Sequence, residues 1–105
     1  MKSYIQISTT TETKEQAEKI AQHIVETKLA TCVQIAGQIK SIYHWKGKIE
    51  KTDEWLCLIK TRATLYNKVE TAIKQLHSYE TPEIIAVPIV KGSKKYLNWI
   101  DHELR

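Results

Sequence analysis

Several motifs that identify common enzymes and cofactor-binding proteins are absent from this sequence. It has only three glycines, Gly37, Gly47 and Gly92, and they are too dispersed to form a P-loop, a GxGxxG fingerprint or a GxSxG elbow. Neither Cys32 nor Cys57 belongs to a CxxC pair, and the four histidines form no HxH or HExxH cluster. The sequence therefore predicts a binding protein rather than an enzyme, with two buried structural thiols and no closed zinc site.

Long apolar runs are also absent. The longest, at 55–59 and 84–90, have the length of strands and not of membrane spans. The first residues show no apolar h-region and no cleavage site, which predicts a cytoplasmic protein without a membrane partner. The formal charge of +4 is spread over the chain, which favours a solvated surface over a nucleic-acid partner. A chain of 105 residues predicts a single domain, 1–105.

Hydrophobic periodicity predicts four strands and three helices. Extended, β-prone segments lie at 4–8, 32–45, 48–61 and 83–90. Thr13 and Gln16 have the capping-box spacing, and the apolar residues that follow recur at three- and four-residue intervals, as they do again from Leu65 to Leu76. A short helix follows Ser93 near the C-terminus. The order βαββαβ predicts an α+β, ferredoxin-like sandwich with an appended C-terminal helix.

The second and third predicted strands form a long hairpin that turns at Lys46-Gly47. A two-residue loop there pairs Trp45 with Lys48 and Tyr43 with Glu50. Gly37 is expected to form a bulge or bend. Fourteen residues of strand span roughly 45 Å, which exceeds the size of a compact domain of this length, so the hairpin must bend or project.

The strand faces indicate an oligomer. Two helices cover one face of a four-stranded sheet, yet the runs at 55–59 and 84–90 are apolar on both faces. A projecting hairpin with aromatic residues near its tip also requires a covering partner. Both observations favour a homo-oligomer built from packed sheets and shared hairpins.

The richest polar cluster is the segment 77–83, which holds an imidazole, a phenol and two carboxyl groups. His77 and Glu83 could bind a divalent cation such as copper or zinc, with water or a neighbouring subunit completing the shell. Alternatively, His77 caps the C-terminus of the preceding helix, and this structural interpretation is favoured for His77.

Aromatic residues near the hairpin tip have two interpretations. Tyr43 and Trp45, together with Tyr79, could line a small-ligand cleft, or they could be interface anchors, which is the favoured interpretation. Lys60, near the end of the third strand, could bind an anion or could pair with a surface carboxylate.

Five segments together resemble the CutA divalent-cation tolerance family. They are LATCV at 29–33, SIYHWKGKIE at 41–50, KT at 60–61, HSYETPEI at 77–84 and YLNWI at 96–100. The patterns Y-x-W-x-G-x-(I/L)-E and H-x-Y-x-x-P-E-(I/L) are the most specific, and the match runs through nearly the whole chain in order.

The resemblance implies a ferredoxin-like homotrimer similar to the PII signal-transduction proteins, involved in tolerance of copper and other divalent cations. Some family members carry a Cys at the position of Ser8 and a His at that of Leu76, beside the Glu at position 83. Only Glu83 of that set is present here. The hydroxyl group of Ser8 replaces a soft thiolate ligand, and the alkyl side chain of Leu76 replaces an imidazole ligand. His77 is the candidate substitute. A PII-like interaction protein without a metal role is the alternative.

Two other protein classes share the βαββαβ order but lack support. An RNA-recognition domain needs exposed aromatics on its central strands, whereas this chain has no Phe and reads WLCLI at 55–59. An acylphosphatase-like hydrolase needs a phosphate-binding loop after the first strand, and the segment 8–12 contains neither Gly nor Arg.

Overall fold

The computed structural model describes residues 3–104 and shows an α+β fold with a four-stranded antiparallel sheet and three α-helices. The elements, in chain order, are β1 (Tyr4–Thr11), α1 (Lys14–Glu26), β2 (Cys32–Trp45), β3 (Lys48–Arg62), a 3-10 turn (Ala63–Leu65), α2 (Tyr66–Leu76), β4 (Ile85–Pro88) and α3 (Lys94–Glu103). The strand order is β2-β3-β1-β4. This is the predicted ferredoxin-like βαββαβ arrangement with a C-terminal helix. No helix within residues 3–104 is long and apolar enough to cross a membrane.

The core lies between one face of the sheet and the helices α1 and α2. Strand β1 places alternate residues toward these helices, and β3 does the same from the neighbouring position, where Ile7 pairs with Ile59. The fully buried aliphatic side chains of this layer are Ile7, Ile20, Ile24, Ile59, Val69 and Ile73. Helix α1 starts where predicted, because the Thr13 hydroxyl accepts a hydrogen bond from the Gln16 N–H at 3.1 Å.

The β2–β3 hairpin gives the molecule its elongated shape, 44 × 25 × 22 Å. Both loop residues are left-handed, with φ of 50° at Lys46 and 78° at Gly47. This is the geometry of a tight two-residue hairpin turn. Tyr43 pairs with Glu50 and Trp45 with Lys48, as predicted. The prediction of a projecting hairpin is confirmed.

An irregularity divides the hairpin into two parts. The β2–β3 register shifts between Ala36 and Ile39, so the bulge predicted at Gly37 is present. A Cβ atom on Gly37 would lie 2.1 Å from Cε3 of Trp55. Gly37 is therefore required because the indole of the facing strand occupies the space of a side chain. We call residues 39–53, beyond this bulge, the arm.

The face of the sheet opposite α1 and α2 is incompletely covered in one chain. Strand β4 is shorter than the predicted segment 83–90, and all four of its residues are exposed, with Ile85 and Val87 at 55% and 47%. Pro88 lies on this edge strand, where its missing N–H is tolerated. Leu56 and Leu58 of β3 are only partly buried.

Helix α3 is attached to the ends of β1 and β3 by a polar cluster centred on Asp101. This carboxylate pairs with Arg62 Nε at 2.9 Å and accepts a hydrogen bond from the Tyr4 hydroxyl. That hydrogen bond is the main cause of a raised pKa at Tyr4, followed by burial. Because Tyr4 and Arg62 are register partners, the cluster holds three elements together.

Candidate functional site

A large groove lies between the arm and the segment that connects α2 to β4. Its volume is about 880 Å³, which is within the range of small-molecule sites. Its lining residues are Thr10, Ser41, Ile42, Tyr43, His44, Trp45, Glu50, Glu54, Ser78, Tyr79, Glu80, Thr81 and Glu83. Four of the residues singled out in the sequence therefore lie together here, namely Tyr43, Trp45, Tyr79 and Glu83.

Strand alternation explains why two aromatic side chains of the arm lie on one face. Tyr43 and Trp45 are two residues apart, so they project from the same face of β2. Across the ladder, Glu50 is the partner of Tyr43 and also lines the groove. The tight turn at Lys46-Gly47 sets this register. A shift by one residue would move the aromatic rings to the opposite face.

Glu54 lies where the arm joins the rest of the sheet and is only 4% exposed. Its Oε2 accepts a hydrogen bond from the Tyr79 hydroxyl at 2.9 Å. Burial raises the pKa of Tyr79, and the hydrogen bond to Glu54 raises it further. Tyr79 thus remains a neutral donor at neutral pH, and this pair joins the arm to the α2–β4 segment.

Sequence reasoning did not single out Glu54. The sequence does contain a feature that could have indicated it. Glu54 lies in a long strand at an even spacing from Leu56 and Leu58, so the three side chains are predicted to share one face of the sheet. Burial of a carboxyl group there is unusual and marks a polar or ligand-binding position. The identity of its partner depends on the tertiary fold, because Tyr79 is 25 residues away along the chain.

His77 is the C-cap residue of α2, and both of its ring nitrogens contact backbone groups. Nε2 lies 2.6 Å from the Thr10 carbonyl oxygen, and Nδ1 accepts a hydrogen bond from the Tyr79 N–H at 3.0 Å. Nε2 must therefore carry the proton and donate it to Thr10. His77 thus has a structural role, but its ring bonds to β1 and to Tyr79, and only its backbone N–H bonds to a carbonyl group of α2, that of Ile73. It fastens the chain after α2 to β1 and positions Tyr79.

A metal ion at His77 would have to displace one of these backbone partners. Glu83 is exposed on the groove wall. Ser8 is partly buried in β1, and Leu76 packs against the hydrophobic core. Within residues 3–104, no three His, Cys, Asp or Glu side chains are close enough together to hold one ion. These residues do not fit a complete copper site within one subunit.

Lys60 lies apart from the groove. It pairs with Cys32 across the β2–β3 ladder, and its ammonium group donates a hydrogen bond to the Gln34 side chain. Lys60 is six residues from Glu54 along β3, which corresponds to about 20 Å of strand. The structure therefore does not bring Lys60 together with Tyr43, Trp45 and Tyr79.

A second, more open cavity of about 450 Å³ lies between α1 and α2. His23, Thr27, Asn67 and Lys68 are among its lining residues, and no aromatic ring of a Tyr or Trp or carboxyl group from residues 3–104 lines it. It therefore lacks the combination of aromatic and acidic groups found in the groove.

Comparison with known families places the sequence and the fold in one group of proteins. The sequence model described as "CutA1 divalent ion tolerance protein" matches residues 5–103. The chain belongs to this family. A CutA relative described as a divalent-cation tolerance protein, from Archaeoglobus fulgidus, is 47% identical over 87 residues, which cover 83% of this chain and 84% of the relative.

Some relatives are longer. The chloroplastic CutA of Arabidopsis thaliana is 41% identical over 101 residues, covering 96% of this chain but 56% of that protein. This chain thus spans little more than half of the plant relative. Solved structures of CutA proteins superpose closely on this chain. For the Archaeoglobus fulgidus protein, named as periplasmic, the TM-score is 0.94 at 42% identity, and the match covers 97% of this chain and 99% of that protein. The rice CutA1 structure also has a TM-score of 0.94, at 39% identity, and covers 98% of this chain and 94% of its own.

Proposed function

We propose that this CutA-family chain is a cytoplasmic homotrimer of single-domain subunits that contributes to divalent-cation tolerance by binding, without turnover. The ligand is a divalent cation, with copper as the candidate, or a small molecule, and the site is the groove between the arm and the α2–β4 segment. The observation that carries this proposal is the convergence of Tyr43, Trp45, Tyr79 and Glu83 on that groove, beside the buried Glu54.

Binding without turnover is supported by the state of His77, although the ring that lines the groove itself is that of His44. A general base needs a free ring nitrogen that faces its substrate. Both nitrogens of His77 are instead within hydrogen-bonding distance of backbone groups. His44 lies on the arm among exposed residues, and its strand partner is Ile49.

Assembly is supported by apolar side chains that a single chain leaves in solvent. On the arm, Ile42 and Ile49 are 62% and 65% exposed. On the edge strand, Ile85 and Val87 are similarly exposed, and Val90 beyond it is 83% exposed. Patches of this kind on two strands favour contacts between copies of the chain. Light scattering on the purified protein should give the mass of a trimer, and a monomeric mass would contradict this part of the proposal.

Metal binding, on this proposal, uses Glu83 and, after displacement of a backbone partner, His77. Water or a second subunit supplies the remaining ligands. The hydroxyl at Ser8 and the alkyl side chain of Leu76 predict weaker copper binding than in relatives with Cys and His there. The engaged ring of His77 favours a second candidate function, a PII-like interaction protein whose groove binds a small ligand and no metal.

Titration with Cu²⁺, Zn²⁺ and Mg²⁺, followed by thermal unfolding, tests the metal part. Binding to the folded state raises Tm in proportion to the logarithm of ligand concentration. We expect Glu83→Ala, and to a lesser extent His77→Ala, to reduce this increase, while Glu18→Ala on the exposed surface of α1 leaves it unchanged. A Tm that no metal changes would remove the metal role and leave the small-ligand candidate.

A further inference from the structure

We infer that the groove binds an organic cation, specifically an alkylamine that carries primary ammonium groups. This inference rests on the proposed function, because it assigns a ligand class to the same groove. It follows from the charge of the groove, its aromatic walls, its buried carboxyl group and its size.

The charge of the groove is opposite to that of the chain. The chain has 16 basic and 12 acidic residues and a formal charge of +4. Four of the acidic residues, Glu50, Glu54, Glu80 and Glu83, line the groove, whereas no Lys or Arg of residues 3–104 does. A concave surface of one charge sign concentrates the field and attracts ligands of the opposite sign. The groove is therefore selective for cations in an otherwise basic protein.

Three aromatic side chains, Tyr43, Trp45 and Tyr79, line the same groove. Aromatic faces attract ammonium groups that lie within about 6 Å of the ring centroid. The chain already shows this chemistry, since the Lys46 ammonium nitrogen is 5.5 Å from the centroid of the Trp45 ring. One alkylammonium group thus contacts an aromatic ring of this groove within the protein itself.

Glu54 provides an anchor inside the groove. Glu54 is only 4% exposed, and its carboxyl group accepts a hydrogen bond from the neutral Tyr79 hydroxyl. Burying a carboxylate is costly unless charged or hydrogen-bonding groups compensate. An ammonium N–H would add a charge-assisted hydrogen bond of the stronger class.

The arrangement fits an extended organic cation better than a single metal ion. Although four carboxyl groups share the groove, no three acidic, His or Cys side chains of the described residues converge tightly enough for one ion. A volume of about 880 Å³ also exceeds what one ion and its shell require. A linear diamine can place its two ammonium groups on separate carboxylates while its methylene chain lies against the rings.

The test is calorimetric titration of the full chain with 1,4-diaminobutane, with butane-1,4-diol as the uncharged control of the same length. We expect saturable binding of the diamine, no binding of the diol, and loss of affinity at high salt. Glu54→Gln and Glu83→Gln should each weaken binding about tenfold or more, as expected for removal of one charge-assisted contact. Glu18→Gln, an exposed acidic position on α1, should leave the affinity unchanged.

Two variants keep the result interpretable if Glu54→Gln fails to fold. Glu83 is exposed on the groove wall, so Glu83→Gln should fold normally. Tyr43→Leu, also at an exposed position, removes an aromatic face while retaining an apolar side chain and should weaken diamine binding several-fold. Far-UV circular dichroism confirms folding for each variant.

The outcomes separate this inference from the proposed function. Equal binding of the diamine to the parent, Glu54→Gln and Glu83→Gln would overturn the inference, as would equal binding of the diol. If the protein does not bind the diamine but is stabilised by Cu²⁺ through Glu83, the inference is overturned and the proposed function stays intact. Failure of both the diamine and the metals to bind would overturn the inference and the metal part of the proposed function together.

Discussion

The two halves of the β2–β3 hairpin have opposite surroundings. In the half next to α1 and α2, Ile59 and Cys57 are fully buried under the helices. On the arm, Ile42 and Ile49 alternate in the same way but are 62% and 65% exposed. These residues belong to the same two strands, so the difference in their burial lies in what packs on each half. The covered half contributes to the core, and the arm leaves Ile42 and Ile49 exposed in a single chain.

The largest expected effect contrasts two isoleucines, one from each half. Ile59→Ala should reduce the free energy of unfolding by about 2–5 kcal/mol, because it removes fully buried methyl groups and leaves a cavity. Ile49→Ala, at 65% exposure in a single chain, should change it by less than about 0.5 kcal/mol where no second chain covers the arm, and by more in an assembled trimer. Urea unfolding at fixed protein concentration measures both. An Ile49→Ala cost as large as that of Ile59→Ala would show that the arm is buried by assembly.

The junction between the halves should be the next most sensitive position. Gly37→Ala places a Cβ atom 2.1 Å from the Trp55 ring, so the indole must move. The expected cost is about 1–3 kcal/mol, typical of overpacking. Tryptophan fluorescence should shift as the Trp55 ring becomes more exposed. If stability and fluorescence are both unchanged, the close packing of Trp55 on Gly37 is wrong.

The hydrogen bond from Tyr79 to Glu54 connects the junction to the groove. Tyr79→Phe removes the donor and leaves a buried acceptor, which should cost about 1.5 kcal/mol at neutral pH. Because burial and this bond raise the folded-state pKa of Tyr79 above its usual 10.0, the folded chain retains the proton that the unfolded chain loses in alkali. The contribution of the Tyr79 hydroxyl to the free energy of unfolding is therefore complete below pH 10.0 and decreases as the pH rises above that value.

The free energy of unfolding, measured between neutral pH and pH 11 for the parent and for Tyr79→Phe, tests whether the stability difference decreases as predicted. A difference that grows with rising pH would contradict the raised pKa. Tyr66→Phe is a second test outside the groove and should show the same sign, because burial and a hydrogen bond to Glu70 within α2 raise the pKa of Tyr66 as well.

The smallest expected effect is at the tip of the arm. Gly47→Ala meets no atom within 4 Å, but φ is 78° there, which a side chain disfavours by about 1 kcal/mol. Gly47→Asn should cost less, since Asn tolerates left-handed geometry. Comparison of Gly37→Ala with Gly47→Ala separates a spatial requirement for glycine from a conformational one. A larger loss for Gly47→Ala would reverse that distinction.

Much of the fold could be predicted from particular residues. Thr13 and Gln16 marked the start of α1, Lys46-Gly47 marked the turn, and the register of Tyr43 with Glu50 followed from the turn. These are local features with definite backbone geometry. The extent of β4 was not predicted, because the run 84–90 is apolar throughout, whereas pairing with β1 ends at Ile85 and Pro88.

The site was predicted in part. Tyr43, Trp45, Tyr79 and Glu83 were singled out in the sequence and share the groove, whereas Lys60 lies elsewhere and Glu54 was overlooked. His77 was given two roles, and only its distances to Thr10 and Tyr79 show that both nitrogens are engaged. Such pairings join residues far apart in the chain, so no local pattern contains them.

The sequence by itself determined the secondary structure, the turn, the βαββαβ order and the family, because periodicity, capping and short motifs act over a few residues. The tertiary structure alone decided which faces are covered and which side chains meet. The burial of Glu54 and its contact with Tyr79 depend on how the arm lies against the α2–β4 segment. That arrangement is set by long-range packing of the sheet and helices, which the sequence pattern of either strand does not contain.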